Sequence, residues 1–270
     1  MKKILFALAI VPLLVIGCSS DDDDKNASDD FGYNIEWLYG EWRATEVEIA
    51  EEVSIDLTDP TIEVLVAPTY LTFKAGDVYE SEGILGEGTG KYVAKDKKIT
   101  TSLGDKKVSF DVTSLTKETA KIKINAKTLD LDIIPDGIET VVVVLTKDYS
   151  REIDADFDVE LLYGEWQATG VELEGLKIDI KDIIDPTFVT FEEKGVFSSK
   201  GILGEGTGRY AIKDKLIVTA LEGEDAISFD MEELSEETAK IEIDASALDL
   251  DLIPADVEDV IVILTKQEKE

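Results

Sequence analysis

The sequence predicts an all-β protein made of two tandem antiparallel barrels, and three observations carry that expectation: a long internal repeat, period-two alternation within each copy, and a strand count suited to closure. The repeat is read directly. Leu38-Tyr39-Gly40-Glu41-Trp42 returns as Leu162-Tyr163-Gly164-Glu165-Trp166, and the octapeptide Gly83 to Gly90 returns unchanged at Gly201 to Gly208. Further on, Glu118 to Ile122 answers Glu237 to Ile241, Leu129 to Asp132 answers Leu248 to Asp251, and Val141 to Lys147 answers Val260 to Lys266. A period this long marks tandem domains, because solenoid units are far shorter. The first copy carries a longer insert around Ile62 to Pro68, read as a loop, where added length costs little.

Inside each copy the pattern alternates. Val108, Phe110 and Val112 are separated by Ser109 and Asp111, and Ala120, Ile122, Ile124 and Ala126 by Lys121, Lys123 and Asn125. The second copy keeps the apolar set as Ile227, Phe229, Met231 and Ala239, Ile241, Ile243, Ala245. One face is buried and the other wet. The closing runs Val141 to Leu145 and Val260 to Leu264 are continuously apolar, which predicts a strand covered on both faces. About eight or nine such runs fall in each copy, the number at which an antiparallel sheet closes into a barrel. Small β-sandwiches are the alternative.

The domain organisation follows: residues 1–17 as a leader, 18–30 as a polar tether, 31–148 and 157–270 as the two β domains, and 149–156 as a charged linker. Lys2 and Lys3 precede an apolar stretch, Ile4 to Ile16, which is too short to span a bilayer and is broken by Pro12. This is the pattern of a signal peptide. Its end, Val15-Ile16-Gly17-Cys18, resembles the lipobox of bacterial lipoproteins. The resemblance implies cleavage between Gly17 and Cys18, acylation of Cys18, and anchoring through several acyl chains. The following Ser19, Ser20, Asp21, Asp22, Asp23 and Asp24 resemble the acidic export signal of Bacteroidota lipoproteins, which implies an outer-membrane location facing the exterior. A plain solvated tether, a protease tag and a periplasm-facing lipoprotein are the other readings of that run.

Composition excludes several functions. With 27 basic and 60 acidic residues the formal charge is -33, a field that repels phosphate backbones, so nucleic acid is not a partner. There is no histidine, which removes the usual general base and the commonest metal ligand. Cys18 is the single cysteine, so no intrachain disulfide forms. No catalytic residue, metal site or cofactor is assigned. An enzyme acting through carboxylates alone is the remaining catalytic alternative, but among 60 acids no pair is singled out.

The glycine-rich octapeptide fails as a phosphate loop, which would need glycine at Leu85 and Ser or Thr at Tyr92. A turn, a bulge or a bent strand is expected there instead, with a shared recognition loop including Glu87 and Glu205 left open. Asp130 with Asp132, and Asp249 with Asp251, would place carboxylates about 7 Å apart on one strand face. Calcium needs six to eight oxygens, so a solvated face is the expectation. Tyr70, Phe73, Tyr79 and Tyr92, answered by Phe188, Phe191, Phe197 and Tyr210, are read as core or as the lining of a cavity.

Gly40-Glu41-Trp42 and Gly164-Glu165-Trp166, each opening a β unit, resemble the Gly-x-Trp start of lipocalin-like domains in lipoproteins of Bacteroidota. The resemblance implies that Trp42 and Trp166, with Gly40 and Gly164, close one end of each barrel, and that Lys147 or Lys266 packs on the tryptophan. It also implies a non-enzymatic binding or accessory lipoprotein, carrying a hydrophobic small molecule or docking on an outer-membrane protein complex. The alternative is a structural or adhesive module whose barrels are packed solid and whose acidic outer surface does the work.

Overall fold

The computed structural model describes residues 30–50, 53–129, 131, 133–173, 175–181, 183–248, 253–254 and 256–267. The leader, Gly17, Cys18 and the run Ser19 to Asp24 lie outside the described residues, as do the acids at 130, 132, 249 and 251.

The first copy runs α1 (Ile35–Leu38), β1 (Gly40–Ala50), β2 (Val53–Asp56), α2 (Pro60–Glu63), β3 (Tyr70–Lys74), β4 (Val78–Glu82), β5 (Gly88–Lys95), β6 (Lys98–Leu103), β7 (Lys106–Leu115), β8 (Thr119–Asn125), α3 (Ala126–Leu129) and β9 (Thr140–Lys147). Strands β3 to β9 form an antiparallel meander, and β1 pairs with both β3 and β9, closing an eight-stranded barrel. β2 is a hairpin flap on the far half of β1. The junction is a bulge between Ala44 and Glu46, where Thr45 leaves the ladder. Its carbonyl accepts from the Leu57 amide at 2.9 Å, and its hydroxyl lies 3.0 Å from that of Thr146. The bend lets Gly40 to Arg43 pair with β3 and Glu46 to Ala50 with β2.

The second copy repeats this plan through β10 (Asp154–Ala155), α4 (Val159–Leu162), β11 (Gly164–Leu173), β12 (Leu176–Asp179), β13 (Phe188–Glu192), β14 (Val196–Lys200), β15 (Gly206–Asp214), β16 (Leu216–Leu221), β17 (Ile227–Leu234), β18 (Thr238–Asp244) and β19 (Asp259–Lys266). β11 and β13 to β19 close through the β11–β19 ladder, and the bulge recurs between Ala168 and Gly170. Both barrels bury the alternating apolar sets read from the sequence.

The closing strand differs from its expectation. Val141, Val143 and Leu145 point into the first barrel, whereas Val142 and Val144 are half-buried on the outer wall. They sit opposite Glu48 and Glu46, with Lys121 bonding Glu48 at 2.6 Å across the same wall. In the first copy the run is continuous because β-branched side chains suit a pleated, half-shielded wall, whereas in the second Ile263 is buried on the outer face as well.

The octapeptide is the β4–β5 connection and the start of β5. Gly90 lies so close to β6 that a Cβ there would sit 2.0 Å from the Ser102 carbonyl oxygen, and at Gly208 the distance to the Ala220 oxygen is 1.9 Å. Only glycine fits this crossing. The Ile84 amide donates to the Thr69 hydroxyl at 3.0 Å, which holds the turn so that Leu85 is buried in the core.

The insert of the first copy is more than a spacer. Asp59 accepts from the Thr61 amide at 2.8 Å and Pro60 opens α2, so the sequence Asp-Pro-Thr sets a helical turn. The turn presents Val64, which is 4% exposed, to Ala211, Val218 and Ala220 on the outer wall of the second barrel. At the outward positions of β6 the first copy has Lys98, Thr100 and Ser102; the second has Leu216, Val218 and Ala220 on β16. On β16 these outward apolar residues lie where α2 covers the wall. Burying a valine is worth about 1.5–3 kcal/mol. Val64→Asp is therefore expected to separate the barrels and raise the radius of gyration measured by X-ray scattering; an unchanged profile would show that α2 does not hold them together.

Candidate functional site

The Gly-x-Trp segments assemble first from local structure. Asn34 caps α1 and Asp158 caps α4 by accepting from the amides of Glu36 and Glu160, so the turn ends over the first residues of β1 or β11. Trp42 Nε1 donates to the Leu38 carbonyl at 2.8 Å, and Trp166 Nε1 to that of Leu162 at 2.7 Å. Both indoles are fully buried. Lys147 reaches back along the barrel end, with Nζ 5.2 Å from the Trp42 ring centre and donating to the Trp37 carbonyl at 3.1 Å. Lys266 does the same over Trp166 at 5.0 Å, donating to Leu161 at 2.7 Å. A cation held over an indole contributes about 0.5–2 kcal/mol. Gly40 has φ +123° and a Cβ there would stand 2.6 Å from Lys147 Cε; at Gly164 the values are +128° and 3.0 Å from Lys266 Cε. Glycine is what lets the lysine cross. Gly40, Trp42 and Lys147 thus converge at one barrel end, as do Gly164, Trp166 and Lys266.

The interior is filled by the aromatics that alternate inward. The Phe73 ring lies 5.3 Å from Tyr79 and 5.2 Å from Tyr92; Phe191 lies 5.3 Å from Phe197, 5.3 Å from Tyr210 and 6.4 Å from Phe229. Tyr92 and Tyr210 donate their hydroxyls to the carbonyls of Lys74 and Glu192. Burial pushes the phenols of Tyr79, Tyr92 and Tyr210 above their ordinary range. Strand directions put the β4–β5 and β8–β9 connections at the end opposite α1, and there Leu85 and Leu129 are buried in the first barrel and Leu203 and Leu248 in the second. Two buried hydroxyls inside the walls, on Ser81 and Ser199, find no hydrogen-bond partner among the described residues.

Tyr70 and Phe188, grouped with the core aromatics by sequence, face outward instead. On the first barrel Arg43 is buried on the outer wall, 5.8 Å from the Tyr70 ring and 4.3 Å from that of Tyr149, and bonds Glu63 at 2.8 Å. Arg151 lies 3.7 Å from the Tyr70 ring centre. It forms a two-point pair with Glu41 at 2.8 and 3.0 Å and reaches Glu82 at 3.0 Å. The Glu41 hydrogen bond, with Glu82 adding to it, holds this guanidinium even more firmly charged. Sequence reasoning placed Tyr149 and Arg151 in a linker and assigned them nothing. The available signal was that a linker otherwise rich in acids carries one of only three arginines in the chain. Among the described residues, no group of three or more acidic or cysteine side chains is placed to hold a metal ion.

No protein-family model matches the chain, and no curated protein does. The fold is two closed, eight-stranded antiparallel barrels in tandem. A solved lipocalin-like protein from Bacteroides uniformis is similar, with 21% identity over 40% of this chain and 99% of that chain and a TM-score of 0.28.

Two outcomes follow from this geometry. Gly40→Ala forces a side chain into Lys147 at a positive φ and is expected to cost about 2 kcal/mol or more, read as a lowered midpoint in urea. Gly164→Ala, with more room, should cost less; equal midpoints would show that the lysine crossing does not set the requirement. For Tyr79, Tyr92 and Tyr210 the folded pKa lies above the unfolded one, so their contribution to stability is complete below the unfolded value of about 10 and is lost as pH rises through the folded values. Absorbance titration should show these phenols ionising only together with alkaline unfolding, detected by loss of far-ultraviolet dichroism; free titration in the folded state would contradict their burial.

Proposed function

We propose that this chain is a lipid-anchored accessory protein of the outer membrane, held through Cys18 and facing the exterior, which works through the outer walls of two solid barrels. The single observation behind this reading is the packing of the interiors. Aromatic rings fill the middle, the tryptophan and its lysine close one end, and apolar turn residues fill the other. Two shallow concavities lie on the outside of the barrels. One is on the outer wall around Glu165 and Phe188; the other lies between α2 and the second barrel, around Asp59, Lys213 and Asp230. The outer wall itself is polar, with Lys107, Ser109, Asp111 and Thr113 alternating outward along β7. A barrel facing lipid would carry apolar side chains there, so an acyl anchor, rather than the wall, supplies membrane attachment in this reading.

A carrier role has one specific observation in its favour. The unpartnered hydroxyls of Ser81 and Ser199 sit inside the walls, where a small apolar molecule with one polar group would satisfy them. Native mass spectrometry of the protein extracted from its own envelope separates the readings. The expected spectrum shows residues 18–270 with covalent acyl mass and no non-covalent guest, before and after incubation with envelope lipids. Two small molecules per chain would establish the carrier, and a mass without acyl groups would remove the anchor.

A further inference from the structure

The two barrels carry opposite charge on matching stretches. Residues 91–127 of the first copy, which run from β5 to α3, hold ten lysines against four acids, whereas the matching residues 209–246 hold four basic residues against eleven acids. The difference falls on the outer wall. Across β6, β7 and β8 the outward row Lys98, Asp111, Lys123 becomes Leu216, Asp230, Glu242 on β16, β17 and β18. Lys106 and Lys107 become Asp225 and Ala226, and Lys127 becomes Ser246. Lys91, Lys95, Lys98, Lys107, Lys123 and Lys127 are all exposed, and Asp111 bonds Lys98 at 3.3 Å. On the same wall Val93 is 62% exposed, whereas its counterpart Ala211 is packed with Val64. The chain also enters the first barrel at the margin of this wall. There the Asp96 amide donates to the Asp30 carbonyl at 2.7 Å, and Lys95 bonds the Asp30 carboxylate at 2.8 Å.

We propose that the β5–β8 wall of the first barrel lies against the anionic phosphate headgroups of the membrane that holds Cys18, so that the first barrel rests on the lipid surface and the second stands away from it. The tether makes the contact reachable. The 12 residue steps from Cys18 to Asp30 span at most about 40 Å, and Asp30 sits beside Lys95 at the edge of the wall. The net charge of -33 does not forbid the contact, because acids farther than about 8 Å from the headgroups are screened while the wall lysines touch them. The divergence of the copies has the matching direction: Glu242 and Asp225, which replace Lys123 and Lys106, are repelled by the same surface and turn the second barrel outward. Each lysine near an anionic surface favours contact about fivefold, and the acyl anchor has already brought the wall to the membrane. Thr100, Ser109 and the lysine stems around Val93 suit the headgroup layer, not the hydrocarbon beneath it. The inference rests on the reading that Cys18 carries the anchor and deepens it by naming the surface that the first barrel faces.

The test uses the acylated full chain reconstituted in vesicles. With Cys18 acylated, Ser109→Cys on the wall and Ser228→Cys at the matching position of the second barrel each offer one thiol to a fluorescent dye, and energy transfer to a headgroup-labelled lipid reports how near each wall lies. In vesicles with about one-third phosphatidylglycerol, transfer from the Ser109→Cys dye is expected to exceed that from the Ser228→Cys dye. It should fall to the level seen in phosphatidylcholine alone when Lys107→Glu and Lys123→Glu are introduced together, or at about 1 M salt, where the screening length is about 3 Å. All four positions are exposed, so the variants are expected to keep the wild-type circular dichroism. Transfer from the Ser109→Cys dye that is equal on anionic and neutral vesicles, or that survives the double charge reversal, overturns the proposal and leaves the anchor in place. Chains that fail to float with vesicles of either composition lack the anchor, which removes the reading beneath and the proposal with it.

Discussion

Everything in each barrel depends on one strand satisfying three partners. β1 must pair with β9 along one edge and divide its other edge between β3 and β2, and it can do so only because Thr45 steps out of the ladder. The same residue type sits at the same step in the second copy, where Thr169 lies 3.0 Å from Thr265. Closure at this strand leaves no open sheet edge in the eight-stranded ring. It also decides where the plug goes. Trp42 is two residues along the strand that closes the ring, so the indole points inward at the end where β9 finishes, and Lys147, the last residue of β9, is delivered to its face. With no disulfide available, the ladder and this plug hold the ring together.

The interior was legible because alternation and burial are the same information in a closed barrel. Val108, Phe110 and Val112, or Ile122 and Ile124, can face only one way once Ser109 and Lys123 face the other. Tyr70-Leu71-Thr72-Phe73 was not legible in this way. Three of its four residues are large and can be buried on either face, and Tyr70 is covered from outside by two arginines rather than by the core. The cover comes from residue 151, far along the chain, so no local pattern announces it. The Gly-x-Trp segment was legible as a motif, yet the reason for its glycine lies in a lysine more than a hundred residues away.

The contact between the copies was hidden for a different reason. A four-residue helix in an insert looks like a loop, and the apolar positions it meets look like ordinary strand residues. Only comparison of the two copies exposes them, since Lys98, Thr100 and Ser102 become Leu216, Val218 and Ala220 at positions that should be wet. A polar-to-apolar change on an outer wall is the signature of a covering partner, and here the partner is the other copy.

That asymmetry argues against two barrels doing the same task side by side. The interiors are near copies, down to the octapeptide and the buried Ser81 and Ser199, because closure and packing impose the same demands on both. The walls have diverged in a directed way. The first barrel supplies α2 to its neighbour and is itself overlaid by Tyr149 and Arg151 of the linker. The second accepts α2 on one wall and retains a carboxylate and a ring, but no arginine of its own, on another. The half-buried ring of Phe188 beside Glu165 therefore gives the second wall a chemistry that the linker arginine covers on the first barrel and that, among the described residues, no arginine covers on the second.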